Sequence, residues 1–323
     1  MGEFDLIARY FTRPVRRAAL GVGDDCALLQ VTPGMQLAVS SDMLVAGRHF
    51  FEDVDPVHLG HKSLAVNLSD LAACGARPLA FTLALSLPKV DEPWLAGFAK
   101  GLLALADEHE IELVGGDTTH GPLNICITVF GEVPAGQALL RSGAKAGDDI
   151  WVSGTLGDAR LALDALLGKI TPALPADLFN AARMRLECPA PRVALGLALR
   201  GIASSALDVS DGLLGDLTHI LEQSQVGAQI DADAVLQTMA ARKTSLALPD
   251  DQWYQCALAG GDDYELAFTA PAHLRSQVEA AAQSASTPVT RIGSVTAEPG
   301  IRLLDAQGQA LSRQSWASFD HFA

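Results

Sequence analysis

Five short stretches of this chain combine aspartate with glycine, serine or threonine, and almost no basic residue stands beside them. They are GVGDD at 21–25, SSD at 40–42, NLSD at 67–70, GGDTT at 115–119 and DVSDG at 208–212. Clustered carboxylates cannot bind phosphate directly, because two unit charges about 4 Å apart repel by roughly 4 kcal/mol at an effective dielectric constant of 20. Hard oxygen ligands with no Cys and little His select Mg²⁺. If the five stretches meet in space, they predict a Mg²⁺-dependent enzyme that handles phosphate.

Asp70 is the residue for which the pattern argues most strongly. In a helix its neighbours three and four positions away are mainly apolar: Val66, Asn67, Ala73 and Cys74. A carboxylate buried without a partner is costly, and charged side chains are seldom fully buried alone. We therefore favour a metal-binding role, and a hydrogen bond to a nearby serine or backbone amide is the alternative.

The other acidic stretches are less specific when each is taken alone. The glycines of GGDTT let backbone amides approach a phosphate, with Asp117 on the metal, but a hairpin turn would also suit this sequence. In DVSDG, Asp208 ends a predicted strand, whereas Asp211 could simply cap the helix that begins near Leu213. Taken alone, the stretch that carries Asp25 is better explained as a polar turn.

Two basic side chains could contact phosphate. Arg141 lies in the predicted interdomain loop and could neutralise a nucleotide phosphate, although a solvated arginine is the alternative. His49 follows the SSD strand and could contact a substrate phosphate, although a lone histidine is more often structural.

Composition limits the class of protein. The chain has 323 residues and a net charge of −15, which disfavours nucleic acid and anionic membranes as partners. The five cysteines are widely spaced without a CxxC pair, and neither a signal peptide nor an apolar stretch of about 18 residues is found. We expect a cytoplasmic protein with reduced thiols and no membrane span.

Hydrophobic patterning predicts a mixed α/β protein of two domains, 1–137 and 138–323, separated by a Gly- and Pro-rich break at 131–147. The predicted strands are 37–40, 81–87, 111–114, 124–130, 149–153, 205–209, 266–269 and 292–295. The predicted helices are 59–74, 94–106, one after Asp158, 213–221 and 273–286. GGDTTHGP is expected to turn the chain. Neither a P-loop nor the protein-kinase, G-x-S-x-G or H-E-x-x-H motifs occur, so phosphoryl transfer would depend on metals held by aspartates.

Seven motifs then occur in a characteristic order: GVGDDCALL, SSDMLVAGRHF, HKSLAVNLSDLAACGARP, GGDTTHGP, LRSGAKAGD, LDVSDGLLGDLTHI and GGDDYELAFT. Together they resemble the bacterial thiamine-monophosphate kinases from residue 3 to about 295, and again at the C-terminal WASFDHF. That family shares its fold with aminoimidazole ribonucleotide synthetase and selenophosphate synthetase. The resemblance implies an N-terminal α/β domain that forms a β-barrel across a homodimer, followed by a C-terminal α/β domain that completes the active site. It also implies transfer of phosphate from ATP to thiamine phosphate.

The resemblance further implies roles for single residues. The Mg²⁺ ligands would be Asp25, Ser40, Ser41, Asp42, Asp70, Asp117, Asp208 and Asp211; the ATP contacts Gly116, Asp117, Arg141 and Ser210; and the thiamine phosphate contacts His49, Asp262 and Phe319. Two positions depart from the family. GGDD stands where GGED is usual, so Asp262 is one methylene shorter than the expected Glu. Phe319 stands where Tyr or Trp is frequent, and its alternative role is packing with Trp316 and Phe322.

The expected mechanism is in-line attack by a phosphate oxygen of thiamine phosphate on the γ-phosphorus of ATP, assisted by several Mg²⁺ ions. It needs neither a strong base nor a protein nucleophile. One alternative is a Mg²⁺-dependent phosphohydrolase, which would use the same aspartates but no ATP pocket, and water as the nucleophile. Another is a related ATP-dependent synthetase of the same superfamily. A non-catalytic nucleotide sensor would bind ATP without turnover.

Overall fold

The computed structural model describes residues 2–244, 246–311 and 316. The chain divides into two compact units, one made of Met1–Leu71 and Ala76–Ala138, the other of Ala72–Gly75 and Leu139–Ala323. The predicted mixed α/β architecture is confirmed. That the segment 72–75 belongs with the second unit was not indicated by any sequence pattern. The domain limits 1–137 and 138–323 stay predictions, as do the roles assigned to the two domains.

The first unit is a four-stranded sheet accompanied by helices. Its elements are α1 (Glu3–Leu6), a π-helical turn (Ile7–Phe11), β1 (Met35–Val45), most of α2 (Pro56–Ala73), β2 (Arg77–Leu87), α3 (Glu92–Glu108), β3 (Glu112–His120) and β4 (Asn124–Pro134). The strand order is β1-β4-β2-β3, with β2 and β3 parallel. Helices α2 and α3 lie so close together that a Cβ on Gly60 would be 2.0 Å from the carbonyl oxygen of Phe98.

The structure corrects the prediction that GGDTTHGP turns the chain. GGDTTH belongs to β3, which pairs with β2, and β2 separates β3 from β4, so no hairpin joins these two strands. The register shifts between Phe81 and Thr82, which leaves Val114 as the extra residue of a β-bulge. At Gly116, with φ of 150°, a Cβ would lie 1.8 Å from the carbonyl oxygen of Leu83, so only glycine fits.

The two faces of this sheet differ in what covers them. Along β1, Ala38, Ser40 and Asp42 are partly buried, whereas the alternate residues Leu37, Val39, Ser41 and Met43 are exposed. Side chains alternate across a strand, so the first set shares one face and the second set the other. We call the face of Ser40 the helix face, because Ser40 contacts α2 there, and the opposite one the outer face.

The second unit is built on a seven-stranded sheet of order β11-β10-β7-β9-β5-β8-β6. Its strands are β5 (Asp148–Ser153), β6 (Ser205–Val209), β7 (Gly227–Asp231), β8 (Glu265–Pro271), β9 (Val289–Thr296), β10 (Gly300–Leu304) and β11 (Ala310–Leu311). Its helices are α4 (Asp158–Leu166), α5 (Ala176–Glu187), α6 (Val193–Ala198), α7 (Leu213–Ser224), α8 (Ala232–Leu236), α9 (Asp250–Ala259) and α10 (Arg275–Ser284). The apolar core lies between the sheet and α4, α7, α8 and α9.

Most predicted elements are present, but their bounds are usually wider than expected. The prediction for β6 is correct to the residue, whereas β1 continues through Ser40–Asp42, which were expected to end a strand. β4 runs to Pro134, so the break predicted from residue 131 begins after it. The five cysteines are free thiols. Among the described residues, no helix is long and apolar enough to cross a membrane.

Candidate functional site

The helix face of the first sheet carries a serine–aspartate pair. The Ser40 hydroxyl donates to Asp70 Oδ2 at 2.5 Å, which joins β1 to α2. Two residues further along β1, the backbone N–H of Asp42 donates to Asn67 Oδ1 at 3.2 Å. Asp70 is partly buried, so the serine partner considered for it is present. Burial alone therefore does not require a metal, but three predicted ligands, Ser40, Asp42 and Asp70, do meet on this face.

The remaining predicted ligands on this sheet lie on the outer face. Ser41 contacts Thr128 there, with 2.9 Å between their hydroxyl oxygens. Asp117 pairs with Ala84 of β2, which in turn pairs with Cys126 of β4. Since paired residues share a face, and Cys126 Sγ lies 3.6 Å from Ser41 Oγ, Asp117 also points to the outer face. The bulge at Val114 explains why Asp117 points to the outer face, because one extra residue reverses the alternation of side chains along β3. Bulges are frequent beside functional sites.

A cleft of about 670 Å³ joins two of the five acidic stretches. Asp24 and Asp25 of GVGDD line it together with the GGDT residues Gly115–Thr118, and Ile7 and Phe11 are among its apolar lining residues. The cleft therefore brings together Asp25, Gly116 and Asp117, which were predicted separately to contact Mg²⁺ or ATP.

The described charged residues that line this cleft are all acidic. Its described lining residues include three aspartates and no lysine or arginine. In the described part of the chain, no three His, Cys, Asp or Glu side chains gather closely enough to hold a metal ion by themselves. Mg²⁺ is commonly bound by one or two carboxylates plus substrate phosphates, so this donor set fits a metal that arrives with a nucleotide.

One ring nitrogen of His49 accepts a hydrogen bond from the backbone. Its Nδ1 accepts the N–H of Val45 at 3.0 Å, which fixes the ring just after β1. In the neutral form the hydrogen is then on Nε2, and this is the atom that could donate to a phosphate. The structural and functional roles considered for His49 are thus compatible.

In the second unit, the loop after β6 is organised by a residue that the sequence analysis did not select. Asp216 Oδ2 accepts the backbone N–H groups of Ser210, Asp211 and Gly212 at 3.0, 3.0 and 3.1 Å. The alternative role considered for Asp211, as the N-cap residue of α7, is not found, because the N-cap position is Gly212. Burial raises the pKa of the Asp216 carboxyl to about 6, although the three amide hydrogen bonds act in the opposite direction.

The GGDDYE segment packs against the same loop. The backbone N–H of Asp262 donates to the carbonyl oxygen of Ser210 at 2.8 Å, and that of Tyr264 to the carbonyl oxygen of Val209 at 2.8 Å. Asp262 has φ of 66°, a left-handed conformation that Asp tolerates better than most residues. The structure therefore brings Asp208, Ser210, Asp211 and Asp262 together, and the shorter carboxylate at 262 suits its backbone.

One predicted ATP contact, Arg141, lies apart from this loop. Arg141 is exposed, and its carbonyl oxygen accepts from Ser224 Oγ at 3.4 Å, at the C-terminal end of α7. Ser210 lies before the N-terminal end of this helix, and 12 residues at 1.5 Å each make about 18 Å. Phe319 and Phe322 lie outside the described residues. Trp316 is buried, and its Nε1 donates to Asp251 at 2.8 Å.

Sequence reasoning missed Val114, Asp216 and Glu265. An aspartate in the first turn of a helix that follows a glycine-containing loop could have indicated Asp216, and a glutamate directly before the apolar run LAFT could have indicated Glu265. No local signal indicates the bulge.

Comparison with known proteins defines the class first. The family described as AIR synthase related protein, N-terminal domain, matches residues 23–133, and the corresponding C-terminal domain matches residues 145–306. The chain is therefore an AIR synthase related protein with both domains.

Within this class, the thiamine-monophosphate kinase of Salmonella typhimurium is 46% identical over 327 residues, covering 100% of this chain and 98% of the relative. The crystal structure of thiamine-monophosphate kinase from Stenotrophomonas maltophilia has a TM-score of 0.83 and 48% identity, and covers 95% of this chain and 96% of that one. A further structure, AaThiL complexed with AMPPCP and TMP, has a TM-score of 0.73 and 26% identity, covering 91% and 89%. This chain belongs to the thiamine-monophosphate kinase family, so the resemblance inferred from its motifs is confirmed.

Proposed function

We propose that this protein uses ATP to phosphorylate thiamine phosphate, giving thiamine diphosphate and ADP. The observation that carries the proposal is 46% identity to a thiamine-monophosphate kinase along the whole chain, through both domains. The structural neighbour complexed with AMPPCP and TMP supports ATP as the phosphate donor and thiamine monophosphate as the acceptor.

The acidic cleft supports a role for Mg²⁺. Triphosphate could not approach Asp24, Asp25 and Asp117 without cations, since like charges repel strongly at short range. Asp25 and Asp117 would hold Mg²⁺ in the cleft, Ser40, Asp42 and Asp70 on the helix face, and Asp208 and Asp211 in the second unit. When bound, Mg²⁺ would neutralise phosphate charge and orient the transferred group.

The contributions of the chain itself are binding and orientation. Gly116 would contact ATP through its backbone, because a side chain here is excluded by the Leu83 carbonyl oxygen of β2, 1.8 Å from the position of a Cβ. His49 would contact the acceptor phosphate, Asp262 and Phe319 would bind the cationic thiamine ring system, and Arg141 would contact ATP. The acceptor phosphate is itself the nucleophile, so no protein base is required.

A direct assay tests the activity. We expect purified protein, Mg²⁺-ATP and thiamine phosphate to give thiamine diphosphate and ADP in equal amounts, both measured by chromatography. ADP formation should depend on thiamine phosphate, because we expect its phosphate oxygen, and not water, to attack the γ-phosphorus of ATP. ADP release at the same rate without thiamine phosphate would instead indicate a phosphohydrolase, and ATP binding without turnover a nucleotide sensor.

We also propose a homodimer formed through the outer face of the first sheet. Leu37, Val39 and Met43 of β1 are 45%, 55% and 54% exposed there, although the chain's own Val15, Ala18, Ala27 and Leu29 cover another part of the same face. A contiguous exposed apolar patch commonly marks an interaction surface. The family resemblance, which implies a barrel across a dimer, agrees with this surface. A cytoplasmic location stays a prediction.

Val39→Lys should convert the dimer into a monomer, because it places a charge at the centre of the exposed row on β1. Light scattering at micromolar concentration should give twice the chain mass for the wild type and the chain mass for the variant. Leu167→Lys is the control, since Leu167 is 49% exposed and belongs to the second unit. A monomeric wild type, or a dimeric Val39→Lys protein, would refute the proposed interface.

A further inference from the structure

The loop between β6 and α7 has the arrangement of an anion-binding site. It connects the end of a strand to the start of a 12-residue helix, and three successive backbone N–H groups, from residues 210 to 212, converge on one point. In many proteins such amides, together with the partial positive charge of the helix N-terminus, bind a phosphate group of a ligand.

Here that point is occupied by a side chain of the same helix. Asp216 Oδ2 accepts all three N–H groups, and Asp216 is only 6% exposed. The amides of Ser210, Asp211 and Gly212 are therefore directed towards the interior carboxylate and away from any ligand.

The carbonyl groups of the loop are also used internally. Those of Val209 and Ser210 accept the N–H groups of Tyr264 and Asp262, both at 2.8 Å. A Cβ on Gly261 would lie 2.5 Å from the Ser210 carbonyl oxygen, so the two backbones are in close contact. Since the loop backbone is held on both sides, its side chains are what it can offer to a ligand.

We propose that Asp216 is a positioning residue that fills this anion site from within, so that the loop binds cations through Asp208 and Asp211 and does not bind phosphate through its amides. The proposal rests on the proposed function for its catalytic consequence. Asp216 acts by holding the backbone that carries Asp211 and Ser210, through the three amide hydrogen bonds that it accepts.

Asp216→Ala should leave three amides without an acceptor and release the loop. We expect the Mg²⁺ concentration for half-maximal activity to rise about tenfold and kcat to fall about 10- to 100-fold, the usual range for residues that orient metal ligands. The KM for thiamine phosphate should change less than the Mg²⁺ requirement, because Asp216 binds the loop amides directly and reaches Asp262 only through the Ser210 carbonyl group. A uniform change in all three parameters would indicate general damage and overturn the proposal.

Chemical rescue provides the decisive readout. Formate is small enough to replace the missing carboxylate, so formate at tens of millimolar should restore part of the activity of Asp216→Ala and raise its Tm. Neither effect is expected in the wild type or in Asp231→Ala. Asp231 is a matched control because its carboxylate also accepts an N–H at a helix start, that of Ala234 at 2.9 Å, but β7 lies four strands from β6.

Asp216→Asn keeps the shape and one acceptor oxygen, so it covers the case in which the alanine variant does not fold. Its Mg²⁺ requirement should rise severalfold, and a wild-type Mg²⁺ requirement would overturn the positioning role. If the wild type makes no thiamine diphosphate, the proposed function fails, yet the thermal measurement with formate still decides whether residues 210–212 form an anion site. Absence of any formate effect in a folded Asp216→Ala protein would overturn the anion-site assignment.

Discussion

Asp70→Asn is expected to lower kcat for thiamine diphosphate formation by at least about a hundredfold, with the protein still folded. Substitution of a residue that only orients a metal ligand already costs about 10–100-fold, and a direct ligand should cost as much or more. Asparagine keeps the volume of Asp70 and an oxygen that can accept from Ser40 Oγ, a contact of 2.5 Å in the native protein. What it removes is the negative charge.

The measurement is a steady-state assay over a range of Mg²⁺ concentrations, with Tm determined on the same samples. Asp91→Asn is the matched control in the same unit, because Asp91 caps α3 by accepting the Trp94 N–H at 3.2 Å. Asparagine caps helices as well as aspartate does, so this change removes a charge without loosening the helix. Its activity should stay within about twofold of wild type, as is usual for surface substitutions. Wild-type turnover by Asp70→Asn would mean that Asp70 is not a ligand of a metal that the reaction requires.

The parts of the fold that could be predicted are those that depend on local hydrophobic pattern. Strand β6 is a short apolar run bounded by turn residues, and its predicted bounds were correct. In β1, by contrast, the polar residues 40–42 belong to the strand because β4 pairs with them along its whole length. That pairing partner lies about ninety residues away in the chain, so an apolar pattern could not indicate it.

The candidate site shows the same division. Motif order correctly identified the family and indicated which aspartates to examine. It could not show that Asp117 shares the outer face with Ser41, since that depends on a bulge in β3, nor that Ser40 meets Asp70 of α2 on the helix face. Side chains that hold backbone in place, such as Asp216, leave no periodic signal, because their partners are defined only once the loop has folded.

Glu265 is the clearest case of a partner that the sequence conceals. Its side chain is fully buried, yet Arg185 and Arg192 both bind it, at 2.7 Å and at 2.5 and 2.6 Å, and Ser153 Oγ donates to it at 2.6 Å. The arginine side chains are themselves only 21% and 18% exposed. Arg185 also donates to the Asp263 carbonyl oxygen at 3.3 Å, so the cluster supports the segment that carries Asp262.

Glu265→Ala should therefore destabilise the second unit strongly. Removing one partner of a buried ion pair costs about 3–5 kcal/mol, because the remaining charge is left buried without compensation. At about 2–4 °C per kcal/mol for a unit of this size, Tm should fall by roughly 6–20 °C. Urea unfolding followed by tryptophan fluorescence suits this test, since three of the four tryptophans, at 151, 253 and 316, lie in the second unit.

Two further variants separate the buried charge from other causes. Glu298→Ala removes a surface partner of Arg302, 3.6 Å away with both side chains largely exposed, and should cost at most about 1 kcal/mol. Adding Arg192→Ala to Glu265→Ala removes one uncompensated guanidinium, so the double variant should lose less stability than the sum of the two single changes. If Glu265→Ala costs no more than Glu298→Ala, or if the double variant loses the full sum, the buried ion cluster does not stabilise this unit in the way its geometry indicates.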